Sequence, residues 1–144
     1  MTDASDILVL NAGSSSIKFA VFASDLTERL SGLVAEIGQG GFMRIAGQDT
    51  PMSLPDHTHA LRAVLAELER RGISPTALRA AAHRVVHGGR KLSAPVRITP
   101  AIRAEINACS PLAPLHNPHN LAAVDALSEI APDLPQFASF DTAF

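Results

Sequence analysis

Ile7-Leu8-Val9-Leu10-Asn11-Ala12-Gly13-Ser14-Ser15-Ser16-Ile17-Lys18-Phe19-Ala20-Val21-Phe22 is the stretch that decides the fold. Ile7 to Leu10 is a short apolar run that reads as a buried strand, and Ala12 to Ser16 interrupts it with small, turn-forming residues. Ile17, Phe19 and Val21 then alternate with Ser16, Lys18 and Ala20, which is the period of a second strand. Strand, tight turn, strand predicts a β-hairpin. Leu30 to Ile37 and Phe42 to Ala46 read as two further strands, separated by Gly38-Gln39-Gly40-Gly41, so the chain opens as a meander.

The periodicity changes after Pro55. Ala60, Leu61, Val64, Leu65 and Leu68 recur at helical spacing, with Asp56 placed to cap the start and Gly72 to stop the end. Leu78 to Val86 reads as a buried strand that ends at His87-Gly88-Gly89. Thr99-Pro100 starts a second helix, with a hydroxyl cap and proline at the first helical position, and Ile102, Ile106 and Cys109 line its apolar side. Asn117-Pro118 repeats that start for a third helix carrying Leu121, Val124 and Leu127, and Pro135 to Phe140 is a closing strand. Strands followed by alternating helices and strands predict an α/β domain around one mixed sheet.

Composition narrows the class. The 144 residues suit one domain, which buries about two-thirds of its unfolded surface. With 47% hydrophobic residues but only six Phe and no Trp or Tyr, aliphatic side chains and Ala must fill the core. A net charge of −2 without a Lys/Arg run argues against a nucleic-acid or anionic-membrane surface. Met1 to Asp6 is polar and acidic, unlike a secretory leader, and no apolar stretch approaches a membrane span. The single cysteine, Cys109, has no internal disulfide partner, and the expected compartment is cytoplasmic.

Four segments carry candidate chemistry. In Asn11 to Lys18, small side chains let backbone N–H groups and hydroxyls approach a phosphate while Lys18 adds a positive charge. The Walker spacing is absent, and a polar hairpin turn is the alternative reading. In His83-Arg84-Val85-Val86-His87-Gly88-Gly89, strand alternation puts Arg84 and Val86 on one face and His83, Val85 and His87 on the other. A guanidinium beside an aliphatic side chain can grip a small carboxylic acid at both ends. An arginine at a strand end more commonly reaches solvent, but Gly88 and Gly89 argue for close backbone approach here. Pro111, Pro114 and Pro118 stiffen the loop that presents Leu115 and His116 ahead of the third helix. Asp141 follows an apolar strand, where a carboxylate at the C-terminal edge of a sheet often faces a ligand, or else caps a turn. The histidine pairs His57/His59, His83/His87 and His116/His119 lie on separate elements without a further cysteine ligand, so ordinary polar or core roles are preferred to a zinc site.

Taken in order, Asn11 to Lys18, His83 to Gly89, Ala113 to Pro118 and Phe140 to Phe144 resemble the acetate kinase family over essentially the whole chain. The resemblance implies a ribonuclease-H-like domain of the acetate and sugar kinase, chaperone ATPase and actin superfamily. It further implies reversible, Mg²⁺-dependent phosphoryl transfer from ATP to acetate, giving acetyl phosphate and ADP. On matching positions, Asn11 would lie near the metal, and Ser14, Ser16 and Lys18 would line the phosphate side. Arg84 would bind the carboxylate or the phosphoryl group, Val86 and Leu115 the methyl group, with His116 beside them. Asp141 corresponds to the acidic residue treated as catalytic. Because the acid is already ionised at neutral pH, Asp141 is expected to orient Arg84 or hydrated Mg²⁺ rather than to remove a proton. Ala82 stands where many relatives have Gly, and Arg90 where many have Glu. Residues 1–144 would form the N-terminal domain, with the nucleotide-binding domain and most of the contacts of a homodimer lying beyond Phe144. By itself the chain would then be inactive. A propionate kinase portion and a non-catalytic anion-binding module are the alternative readings.

Overall fold

The computed structural model describes residues 6–75, 78–85, 96–108 and 117–140. Five strands come first: β1 (Asp6–Ala12), β2 (Ile17–Phe22), β3 (Glu28–Ala35), β4 (Phe42–Ile45) and β5 (Gln48–Pro51). Helix α1 (His57–Arg70), strands β6 (Leu78–Val85) and β7 (Val96–Arg97), helices α2 (Pro100–Ala108) and α3 (Asn117–Ile130), and strand β8 (Gln136–Phe140) complete the order. All eight described strands form one mixed sheet in the order β5-β4-β3-β2-β1-β6-β8-β7. The first five strands pair as an antiparallel meander, whereas β1, β6 and β8 run parallel. This is the mixed α/β architecture expected from the sequence.

Alternation along the strands sorts the two faces. Leu8, Leu10, Ala12, Ile17, Phe19, Val21, Val34, Met43 and Ile45 are buried on one face. They pack against Leu61, Val64, Leu65 and Leu68 of α1 and against Ala123, Ala126 and Leu127 of α3 in one core. A smaller cluster of Ile106, Leu121 and Ala138 joins α2 to α3 and β8. The opposite face of the three central strands carries half-buried aliphatics such as Val9, Ala20 and Ala82 and, at one end, Asn11, Lys18 and Arg84.

The helix boundaries follow their capping residues. The Asp56 carboxylate accepts a hydrogen bond from the His59 amide at 2.8 Å, and the Thr99 hydroxyl accepts one from the Ile102 amide at 3.2 Å. At the end of α1, Gly72 adopts φ 87°, and the Ile73 amide reaches back to the Leu68 carbonyl at 2.8 Å. That geometry closes the helix and needs a residue without a side chain.

Two strands differ from the sequence expectation, both for want of an apolar pattern. Gln48–Pro51 is exposed throughout and becomes β5 because Ala46 and Gly47, at φ 54° and 78°, form a tight turn that folds it back on β4. Ala46 bears a side chain in a left-handed conformation. Ala46→Gly is therefore expected to raise stability by about 1 kcal/mol, read as a higher urea midpoint. The second strand, β7, is only two residues long and pairs antiparallel with β8.

Gly32 marks the tightest point of the meander. A Cβ there would meet Phe19 Cζ at 2.5 Å and the Arg44 carbonyl oxygen at 2.9 Å. Gly32→Ala is expected to cost roughly 1–3 kcal/mol, because the backbone of β4 cannot yield as a flexible side chain would. Chemical denaturation of the variant beside the parent measures it.

Candidate active site

The site forms where the central strands end. Asn11 is the penultimate residue of β1 and faces Lys18 of β2 in register. Leu10 lies opposite His83, so the following residues on these parallel strands, Asn11 and Arg84, share an edge. Arg84 in turn lies opposite Ser139 of β8. Neighbouring strands are roughly 4.8 Å apart, so Lys18, Asn11 and Arg84 fall within about 10 Å on a single face. Lys18 and Arg84 are exposed, Asn11 is half-buried, and no acidic residue is among the described outward positions of this edge (Asn11, Lys18, Leu33, Arg84 and Ser139). An edge with two cations and neutral polar groups attracts an anion. Its position at the carboxyl ends of parallel strands is the usual ligand side of an open α/β sheet.

Between β1 and β2, residues Gly13 to Ser16 form a turn held at three points. The Gly13 amide donates to the Ser16 carbonyl at 2.8 Å, and the Ile37 amide donates to the Ser15 carbonyl at 3.0 Å. His57, the first residue of α1, donates from Nε2 to the Gly13 carbonyl at 2.8 Å. A carbonyl only accepts, so the proton resides on Nε2. Ser14 is exposed and Ser16 half-buried.

Arg84 and His83 point to opposite faces, as strand alternation predicts. His83 is 2% exposed, and its Nε2 donates to Gln136 Oε1 at 2.5 Å. The Gln136 amide nitrogen donates onward to the Val124 carbonyl at 3.2 Å and the Ser128 hydroxyl at 2.7 Å. Burial pushes the His83 imidazole down to about 4, with the Gln136 hydrogen bond opposing that shift only in part. His83 is therefore a neutral core residue that ties β6, β8 and α3 together behind Arg84.

Of the sequence-derived site residues, the structure brings Asn11, Ser14, Ser16, Lys18 and Arg84 to one edge. Val86, Leu115, His116 and Asp141 lie outside the described residues, as do Cys109 and His87. The remaining histidines disperse. His59 pairs with the Asp56 carboxylate at 2.7 Å, and His57 stacks on His119 with ring centroids 5.6 Å apart and planes inclined by 13°. Among the described residues no group of three or more His, Cys, Asp or Glu side chains converges. Beside His119, Asn120 is 2% exposed, and its Nδ2 has no hydrogen-bond partner among the described residues. The His57–Gly13 bond and the Gln136 network carry no spacing signal, because each joins residues far apart in the chain.

A turn of small residues thus lies beside two cations at the carboxyl-end edge of a mixed α/β sheet. The chain belongs to the acetokinase family, whose profile it matches over residues 6–144. It is 47% identical over 143 residues to the acetate kinase of Deinococcus radiodurans, covering 95% of this chain and 36% of that protein. Identity to the acetate kinase of Streptomyces coelicolor is 45% over 149 residues, with 96% and 36% covered. Among solved structures, Porphyromonas gingivalis acetate kinase superposes with a TM-score of 0.91 at 38% identity, covering 98% of this chain and 38% of that one. A propionate kinase from Francisella tularensis superposes at 0.90 with 33% identity, covering 96% and 37%. The chain thus spans little more than a third of the length of these relatives. No described helix is long and apolar enough to cross a membrane.

Proposed function

We propose that this chain supplies the carboxylate-binding and phosphate-facing half of an acetate kinase, which transfers the γ-phosphoryl group of ATP to acetate. The observation that supports this most is the convergence of Lys18, Asn11 and Arg84 on one sheet edge beside the Gly13–Ser16 turn, in a member of the acetokinase family. A carboxylate oxygen of acetate would attack phosphorus as the bond to the β,γ-bridging oxygen breaks and ADP departs. No proton needs to be removed, because acetate is already an anion. The work is alignment of two negatively charged reactants and neutralisation of the charge on the phosphoryl oxygens. Arg84 would bridge the carboxylate and the phosphoryl group in flight, Lys18 would face the phosphates, and the Ser14 and Ser16 hydroxyls with their amides would line that side. Val86 and Leu115 would form part of the pocket for the methyl group with His116 beside it, and Asp141 would orient Arg84 or hydrated Mg²⁺.

The donor set bears on Mg²⁺ directly. The described edge offers neutral oxygens, chiefly that of Asn11, with no group of carboxylates. Such a set suits a cation held mainly by water and nucleotide phosphates, with Asn11 as an outer ligand. When bound, the ion neutralises phosphate charge. The cytoplasm is the proposed compartment.

Joining residues 1–144 to the remaining part of the Deinococcus radiodurans enzyme gives a testable whole. With hydroxylamine trapping the acyl phosphate, the fusion should produce acetyl hydroxamate in an ATP- and acetate-dependent manner. The chain alone should produce none. A folded fusion that turns over propionate in preference to acetate would replace this reading with the propionate kinase alternative, which the Francisella structure fits but the acetate kinase relatives outweigh.

A further inference from the structure

The Gly13–Ser16 turn has a feature that its own sequence does not explain: two of its carbonyls are bonded from the body of the domain, one of them by a side chain 44 residues away. In a trans peptide the C=O and the next N–H point in opposite directions. Bonding the Gly13 carbonyl through His57 therefore aims the Ser14 N–H away from the start of α1, and bonding the Ser15 carbonyl through the Ile37 amide aims the Ser16 N–H away from Ile37, which follows β3. The His57 ring is itself seated, half-buried, against the near-parallel ring of His119 on the first turn of α3.

We propose that His57 is a positioning residue that sets the direction of the Ser14 amide for a polyphosphate, holding the turn in its anion-binding orientation before the ligand arrives. This rests on the phosphate-facing role given above to the turn. His57 touches no ligand; it acts through one peptide group. Because its ring lies against His119, the start of α3 and the phosphate turn are braced by the same side chain.

Three forms of the 144-residue chain, titrated with sodium tripolyphosphate under ¹H–¹⁵N NMR, test this. In the parent, the Ser14 and Ser16 amides should shift saturably, and the imidazole nitrogens of His57 should report the Nε2–H tautomer. His57→Phe keeps a ring against His119 but has no donor; its binding should weaken about tenfold, the scale of one hydrogen bond to a charged group, with the Ser14 response lost first. His57→Gln places an amide N–H near the same point and should restore most of the affinity. An unchanged titration in His57→Phe, or an Nδ1–H tautomer in the parent, would overturn the positioning role while leaving the phosphate reading intact. A parent whose Ser14 and Ser16 amides do not respond would overturn both.

Discussion

Arg84→Ala, made in the fusion with the Deinococcus radiodurans remainder, is expected to lower turnover of acetate by on the order of a thousandfold. Arg84 ends the outward face of β6 beside Asn11, where its planar guanidinium can span a carboxylate and a phosphoryl group together. Nothing else described on that face of β6 carries charge: Ala80 and Ala82 precede it. Among the described residues of this edge, removing Arg84 leaves only Lys18 and the turn to screen the two anions. Arg84→Lys keeps the charge but not the two-pronged geometry, so it should recover only a small part of the loss. Arg79, exposed at the other end of the same strand, is the control, and Arg79→Ala should leave turnover unchanged. Steady-state hydroxamate kinetics resolve all three. Turnover by Arg84→Ala within a few-fold of the parent would remove the proposed role.

The second large effect is on stability and comes from the neighbouring residue. His83 is held neutral in the core with its affinity for a proton lowered from 6.5 to about 4, so the unfolded chain binds that proton more readily than the folded one. Folding stability from this group is complete above about pH 6.5 and is lost as pH falls towards 4. The full loss is on the order of 3 kcal/mol. Urea denaturation between pH 7 and 4 should show it as a falling midpoint. His83→Gln, which titrates nowhere in that range, should flatten the curve relative to the parent even if it starts from lower stability. Parallel curves for the two proteins would show that His83 is not the titrating group.

Much of this arrangement is legible in the sequence because the residues that build it act locally. Asp56 and Thr99 cap helices a few residues away, and Gly72 ends α1 with a conformation of its own. The alternation of β6 likewise separates Arg84 from His83 without reference to the rest of the chain. What stays hidden is long-range or unpatterned. Strand β5 is polar throughout and depends on the Ala46–Gly47 turn, while β7 is recruited by β8 rather than by its own two residues. Gln136 holds His83 from 53 residues away, and His57 reaches Gly13 only because α1 begins beneath the hairpin turn. The site follows the same division: its cations and small residues are visible as motifs, whereas the side chains that orient them are visible only once the elements are packed.

Titration of the 144-residue chain with acetyl phosphate, followed residue by residue in ¹H–¹⁵N spectra, tests the central placement most directly, since this one molecule carries both the acyl group and the phosphoryl group. The expected result is saturable shifts confined to Asn11, Gly13 to Lys18, the end of β6 at Arg84 to Val86, and the other proposed contacts Leu115, His116 and Asp141. Shifts centred instead on the far end of the domain, around Leu78 and Ile130 to Pro135, or no saturable shift at the β1–β6 edge, would contradict it.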